Sequence, residues 1–281
     1  MKNIITSLLA LLTLLFTVFT IEAGTRVVVE NEVIKGGNVE KSAEIVTFDE
    51  NRARIDFVGA DKKITEQTPY IMTVDGGENW VMGDTSEDRF YCSKMQTEEF
   101  FKNIGGQLTG AIDFFNVNTE SPTIKKTLEE PGPEMLGFET THLQIETSAS
   151  AYARVFFIKF EYSVKITDDI WYATDTEIHP IRKKWINALT QSGNNLIDTM
   201  FADFTSNLSG SILKQETVVD ITDERKKETK TQEIHTTVTT VEEIKPNQLD
   251  EVFKLPECEV MDDKEVQEKA KALFAGGRIM L

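Results

Sequence analysis

The sequence predicts a mainly β protein of the α+β class, an antiparallel sheet with helices laid against one face. Two observations predict it. From Phe156 every second residue is apolar (Phe156, Ile158, Phe160, Tyr162, Val164, Ile166), while Lys159, Glu161, Ser163 and Lys165 fill the gaps. A period of two marks a strand with one buried and one wetted face. Shorter runs of the same kind are separated by Gly-rich turn signals, and few stretches carry helical spacing.

The elements follow in order. Lys2, the apolar run around Leu8–Phe19 and the small-residue exit at Ala23 make residues 1–23 a secretory signal peptide. The run falls short of the roughly 20 apolar residues of a spanning helix. Cleavage after Ala23 is therefore expected, leaving no transmembrane anchor. The mature chain is expected in the periplasm, or secreted if the host is not Gram-negative.

Arg26–Ile34 is a valine-rich strand broken by Gly36 and Gly37. Glu44–Asp49 and Arg52–Val58 follow, the second with Ala53, Ile55 and Phe57 on one side. Tyr70 and Met72 alternate likewise, and Asp75–Gly76–Gly77 turns the chain into Asn79–Met82. Arg89–Cys92 closes this meander. Ser93 with Gln96 fits a capping box for a helix through Phe115, weakened by Gly105, Gly106 and Gly110.

Strands resume after Pro131–Gly132–Pro133. Thr141, Leu143 and Ile145 form the hairpin partner of the long alternating strand, and Ile170–Thr174 carries Trp171 in a further short one. A helical insert over 181–204 presents Trp185, Leu189, Leu196, Met200 and Phe204, with an interruption at Gly193. Lys214–Asp220 and Thr231–Glu243 are strands joined by the charged tip Asp223–Lys230. Asp262 and Glu265 cap a C-terminal helix over 262–275. Residues 24–281 are thus expected to form a single domain.

Composition narrows the function. A hydrophobic content of 40% builds a core, and a net charge of −17 disfavours nucleic acid and anionic membranes as partners. His142, His179 and His235 are scattered, and no nucleophile elbow, phosphate loop or zinc motif is present. The pairs Asp168–Asp169 and Asp262–Asp263 fit turn and cap carboxylates better than a calcium loop. No metal, no cofactor and no enzymatic activity are expected. Cys92 and Cys258 are compatible with a disulfide or with two free thiols.

Several short motifs together resemble a known family. They are Val74–Met82 followed by Arg89–Phe90–Tyr91, Gly137–His142, Asp169–Asp175, and Val252–Phe253–Lys254–Leu255–Pro256. In this order they resemble the uncharacterised bacterial periplasmic proteins akin to the lipoprotein carriers LolA and LolB. The resemblance implies a curved antiparallel sheet, an unclosed half-barrel whose concave side is plugged by helices. It also implies a lipid-like ligand held in that cavity.

On such a sheet Phe57, Met72, Trp80, Phe156, Phe160, Tyr162 and Trp171 are expected to share the concave face, with Trp185 in the plug above them. Two functions stay open. One is binding of a hydrophobic, lipid-like ligand in the cell envelope. The other is a filled core in a structural protein whose partner is another envelope protein, docked on its acidic surface or on the Lys214–Glu243 hairpin.

Overall fold

The computed structural model describes residues 24–66, 68–86, 89–99, 102, 117–120, 122–155, 158–176, 180–194, 198–199, 202, 206, 210–254 and 259–260. The expected signal peptide, the C-terminal helix over 262–275 and Cys258 lie outside them.

The strands are β1 (Gly24–Lys35), β2 (Asn38–Phe48), β3 (Ala53–Gly59), β4 (Tyr70–Thr73), β5 (Asn79–Ser86), β6 (Arg89–Gln96), β7 (Val117–Thr119), β8 (Thr123–Pro131), β9 (Thr140–Val155), β10 (Ile158–Ala173), β11 (Ser211–Asp223), β12 (Glu228–Ile244) and β13 (Glu259–Val260). Helix α1 spans Pro180–Leu189 and α2 spans Pro246–Val252.

All the strands join one sheet in the order β13-β6-β5-β4-β3-β2-β1-β12-β11-β10-β9-β7, with β8 also on β9. Every pairing is antiparallel except the short β13–β6 contact. The first strand pairs with β12 as well as with β2, so it joins the N-terminal meander to the C-terminal hairpin. Among the described residues, β13 and the β7/β8 side are the two ends. The sheet does not close into a barrel.

It does curve. Seven strand spacings separate β5 from β10, about 34 Å in a flat sheet. Yet α1, which follows β10, reaches the β4–β5 turn: a Cβ on Gly77 would lie 3.1 Å from Ile181 Cγ2. Thr176 Oγ1 still donates to Ala173 O, so only five residues, roughly 18 Å of chain, lead from that turn to Ile181. The chain spans the gap only because the sheet curls around the helix.

Alternation assigns the two faces. In β1, Val27, Val29, Asn31 and Val33 are buried while Glu30 and Lys35 are exposed. The inner face joins the three valines to Val46, Phe48, Ile55, Ile71, Trp80, Leu143, Ile145, Ile170, Leu213 and Val238 in one core cluster. Helix α1 adds Ile181, Trp185 and Ile186 to that cluster. The outer face is partly covered by α2, whose Leu249 packs with Phe253, Tyr70, Met72 and Ile244.

Three sequence expectations change. Ser93 lies inside β6 and caps nothing, because β6 runs to Gln96 in full register with β5; helical residues begin at Thr97. A strand, β8, precedes Pro131–Gly132–Pro133, since Thr123–Pro131 pairs with β9. Ile170–Thr174 is no separate strand: β10 continues from Ile158 to Ala173 against both neighbours. The Lys214–Asp220 and Thr231–Glu243 strands form as expected, but their pairing extends to Asp223 and Glu228, so the charged tip narrows from Asp223–Lys230 to residues 224–227. The insert is helical to Leu189 and turns before Gly193, which adopts φ +80°.

Candidate functional site

A belt of polar side chains crosses the inner face of an otherwise apolar core. Register builds it strand by strand. Glu44 of β2 stands opposite Val29 of β1, and Asn31 of β1 stands opposite Thr236 of β12. Thr236 in turn pairs with Gln215 of β11, and Thr217 of β11 with Asp168 of β10. Each occupies an inward position of its strand, and each is at most 8% exposed.

Hydrogen bonds link the belt in two groups. Thr236 Oγ1 donates to Asn31 Oδ1 at 2.8 Å, and Asn31 Nδ2 donates to Glu44 Oε1 at 2.9 Å. On the other side Thr217 Oγ1 and Gln215 Nε2 donate to Asp168 Oδ1 at 2.6 and 2.9 Å. Two oxygens are left over. Glu44 Oε2 and Gln215 Oε1 are buried without a hydrogen-bond partner. A buried polar atom in that state costs about 1–3 kcal/mol.

No cation neutralises either acid by a hydrogen bond or ion pair among the described residues. Burial therefore dominates: it pushes the Glu44 carboxyl up to about 8, against the opposing pull of Asn31. Burial likewise pushes Asp168 up to about 6, opposed by Thr217 and Gln215. At neutral pH Glu44 is a neutral carboxyl, able to donate as well as accept.

The residues expected to share the concave face divide between the two faces. Phe57 is opposite Glu44 on the inner face and packs on the core cluster. Trp80 is buried there and meets Trp185 of α1 edge to face, with ring centroids 4.4 Å apart; its Nε1 donates to Thr97 Oγ1. Tyr162 occupies the same alternating set in β10 as Val164, Ile166 and Ile170.

Met72 belongs to the other face. It is opposite Arg54 and packs under α2, because β4 presents Ile71, not Met72, to the core. Trp171 is also outside. It is an odd number of residues from Tyr162 in one continuous strand, so the two project oppositely. There it stacks on His142 (centroids 4.5 Å apart, planes 2° from parallel) beneath the Lys214 ammonium, 4.4 Å from the ring centroid. His142 Nε2 lies 2.8 Å from Asp169 Oδ1. Phe160 is in β10 opposite Ala153, Cys92 is in β6 opposite Gly83, and Phe156 lies outside the described residues.

No protein-family model matches the chain, and no curated protein matches it in sequence. Among solved structures it is similar to PNGF-II, at 12% identity over 91% of this chain and 33% of that one, with a TM-score of 0.38. This chain thus spans about a third of that protein. It is similar to a LolA superfamily protein from Nitrosomonas europaea, at 8% identity over 84% of this chain and 92% of that one, with a TM-score of 0.28. A DUF1329 family protein from Desulfovibrio piger is similar at 6% identity over 90% and 96% of the two chains, with a TM-score of 0.27. LolA superfamily proteins are among its structural neighbours. All three likenesses are distant, so the functional reading rests on the inner face itself.

Sequence reasoning missed the belt, though its signal was present. Asp168 continues the even-numbered apolar series of β10, and Glu44 shares the spacing of Val46 and Phe48. Asn31 interrupts Val27, Val29 and Val33, and Thr236 sits between Ile234 and Val238. A polar residue on the apolar parity of a strand is the mark of a buried polar group. Among the described residues no His, Cys, Asp or Glu cluster suits a metal, and no helix is long and apolar enough to cross a membrane.

Proposed function

We propose that the chain is an exported, non-enzymatic protein of the cell envelope that binds a hydrophobic, lipid-like ligand on the inner face of its curved sheet. One observation carries this reading: the inner face combines apolar side chains left half-buried (Phe57, Val164 and Ile221) with buried polar atoms that have no protein partner. A core folded only for stability buries such side chains and pairs such atoms. Ligand sites are mostly apolar, with a few polar groups that orient the guest. Phe57, Trp80, Tyr162 and Trp185 belong to this reading; Met72 and Trp171 do not.

The test is native mass spectrometry with organic extraction on protein purified from its export compartment. A co-purifying apolar molecule supports the reading. A ligand-free mass, together with no displacement of a fluorescent apolar probe by lipids, rejects it.

A second reading has its own support. Trp80 and Trp185 are in direct contact and almost fully buried, so this end of the inner face is filled by protein. If the whole face is filled, the chain is an envelope interaction protein that docks through its surface. Cross-linking in the native envelope that captures one stoichiometric partner supports it.

A further inference from the structure

The two unpaired oxygens of the belt define the chemistry of the group that would sit against them. Glu44 is 3% exposed and Gln215 is 1% exposed, so bulk water does not satisfy them. Asn31 and Thr236 fix the Glu44 side chain through Oε1, leaving Oε2 as its open position. Gln215 is fixed through its amide nitrogen, which donates to Asp168 and to Thr217, leaving the carbonyl oxygen open. Three strand spacings, about 14 Å along a flat sheet and less along a curved one, separate the two residues.

We propose that this belt is the polar subsite of the inner face and receives the hydroxyl groups of a neutral, hydroxyl-bearing lipid head. The proposal rests on the ligand-binding reading above and adds the class of head group. Gln215 Oε1 only accepts, so it needs a donor. Glu44, held neutral by its burial, offers a proton as well as lone pairs. A hydroxyl both donates and accepts, and so satisfies each of them. A carboxylate only accepts and leaves Gln215 unmet; an ammonium donates to both oxygens but leaves the Glu44 proton without an acceptor.

The test uses four ligands with one acyl or alkyl chain and different heads: monooleoylglycerol, methyl oleate, oleylamine and oleate. Each competes at neutral pH with a fluorescent apolar probe bound to the mature protein. Monooleoylglycerol is expected to bind about tenfold tighter than methyl oleate, the size of effect that one or two satisfied hydrogen bonds produce. Glu44→Leu and, independently, Gln215→Met should each cut that preference by roughly threefold or more.

Equal binding of monooleoylglycerol and methyl oleate would overturn the subsite and leave the ligand-binding reading standing. Tightest binding of oleylamine would overturn the hydroxyl assignment in favour of a cationic head. Failure of all four to displace the probe would reject the ligand-binding reading and the subsite together. Because the two substitutions lie on different strands, a variant that fails to fold leaves the other to decide.

Discussion

Trp80 of β5 and Trp185 of α1 meet edge to face, their ring centroids 4.4 Å apart, and this contact ties the N-terminal meander to the helix that follows β10. Across the sheet, β4, β3, β2, β1, β12 and β11 lie between β5 and the strand that leads into α1. Their contact therefore fixes the curl of the sheet as well as local packing. Ring pairs in this geometry contribute about 0.5–1.5 kcal/mol beyond the area they bury.

Trp185→Ala is expected to destabilise the protein by about 3–5 kcal/mol, the range for deleting a buried aromatic ring. Urea unfolding followed by circular dichroism measures it. A loss below about 1 kcal/mol would mean that α1 is not needed to hold the curl.

Stability should fall as pH rises from about 4 to 8. Glu44 rises from 4.5 to about 8 on folding and Asp168 from 3.8 to about 6. The folded state therefore binds more protons than the unfolded state between these values, and stability declines with pH there. The contribution is fully present below the unfolded values. It is lost progressively through pH 6 for Asp168 and pH 8 for Glu44. Glu44→Gln should flatten the upper part of this dependence, seen as a melting temperature that no longer drops between pH 6 and 8.

Arg54 and Asp56 supply a third test, on the outer face. Arg54 Nε and Nη2 donate to Asp56 Oδ1 at 2.9 and 2.6 Å, while Nη1 donates to Val252 O at the end of α2. Asp56 is 2% exposed. Arg54→Met leaves a buried acid without its cation, and should cost about 3–5 kcal/mol near neutral pH. Adding Asp56→Val should recover most of that loss. If the double variant is no more stable than the single one, the damage comes from undocking α2.

Trp171 should be dispensable for any ligand on the inner face. It lies outside, between His142 and Lys214 on the neighbouring strands. Trp171→Ala is expected to cost about 1–2 kcal/mol in stability, because the ring is only half-buried. Displacement of an apolar probe should be unchanged. A charged residue in place of Trp185 should abolish it, and equal behaviour of the two variants would count against the face assignment.

The sequence by itself determined the strands. Alternation in β10, the glycines of the β4–β5 turn and the charged tip between β11 and β12 mark elements through local physics: side-chain period and backbone freedom. Gly76 and Gly77 do adopt positive φ, +71° and +82°, where other residues are strained. Alternation even decided that Trp171 and Tyr162 project oppositely, since both lie on one unbroken strand. Tertiary structure decided what alternation leaves open. Which parity of β4 faces the core depends on its register with β3 and β5, and that register puts Ile71 inside and Met72 under α2. The belt is decided in the same way. Asn31, Glu44, Gln215 and Thr236 come from four strands, and only the pairing of β1 with both β2 and β12 brings them into one row. Period is a property of each strand alone, whereas proximity between strands distant in sequence is a property of the sheet.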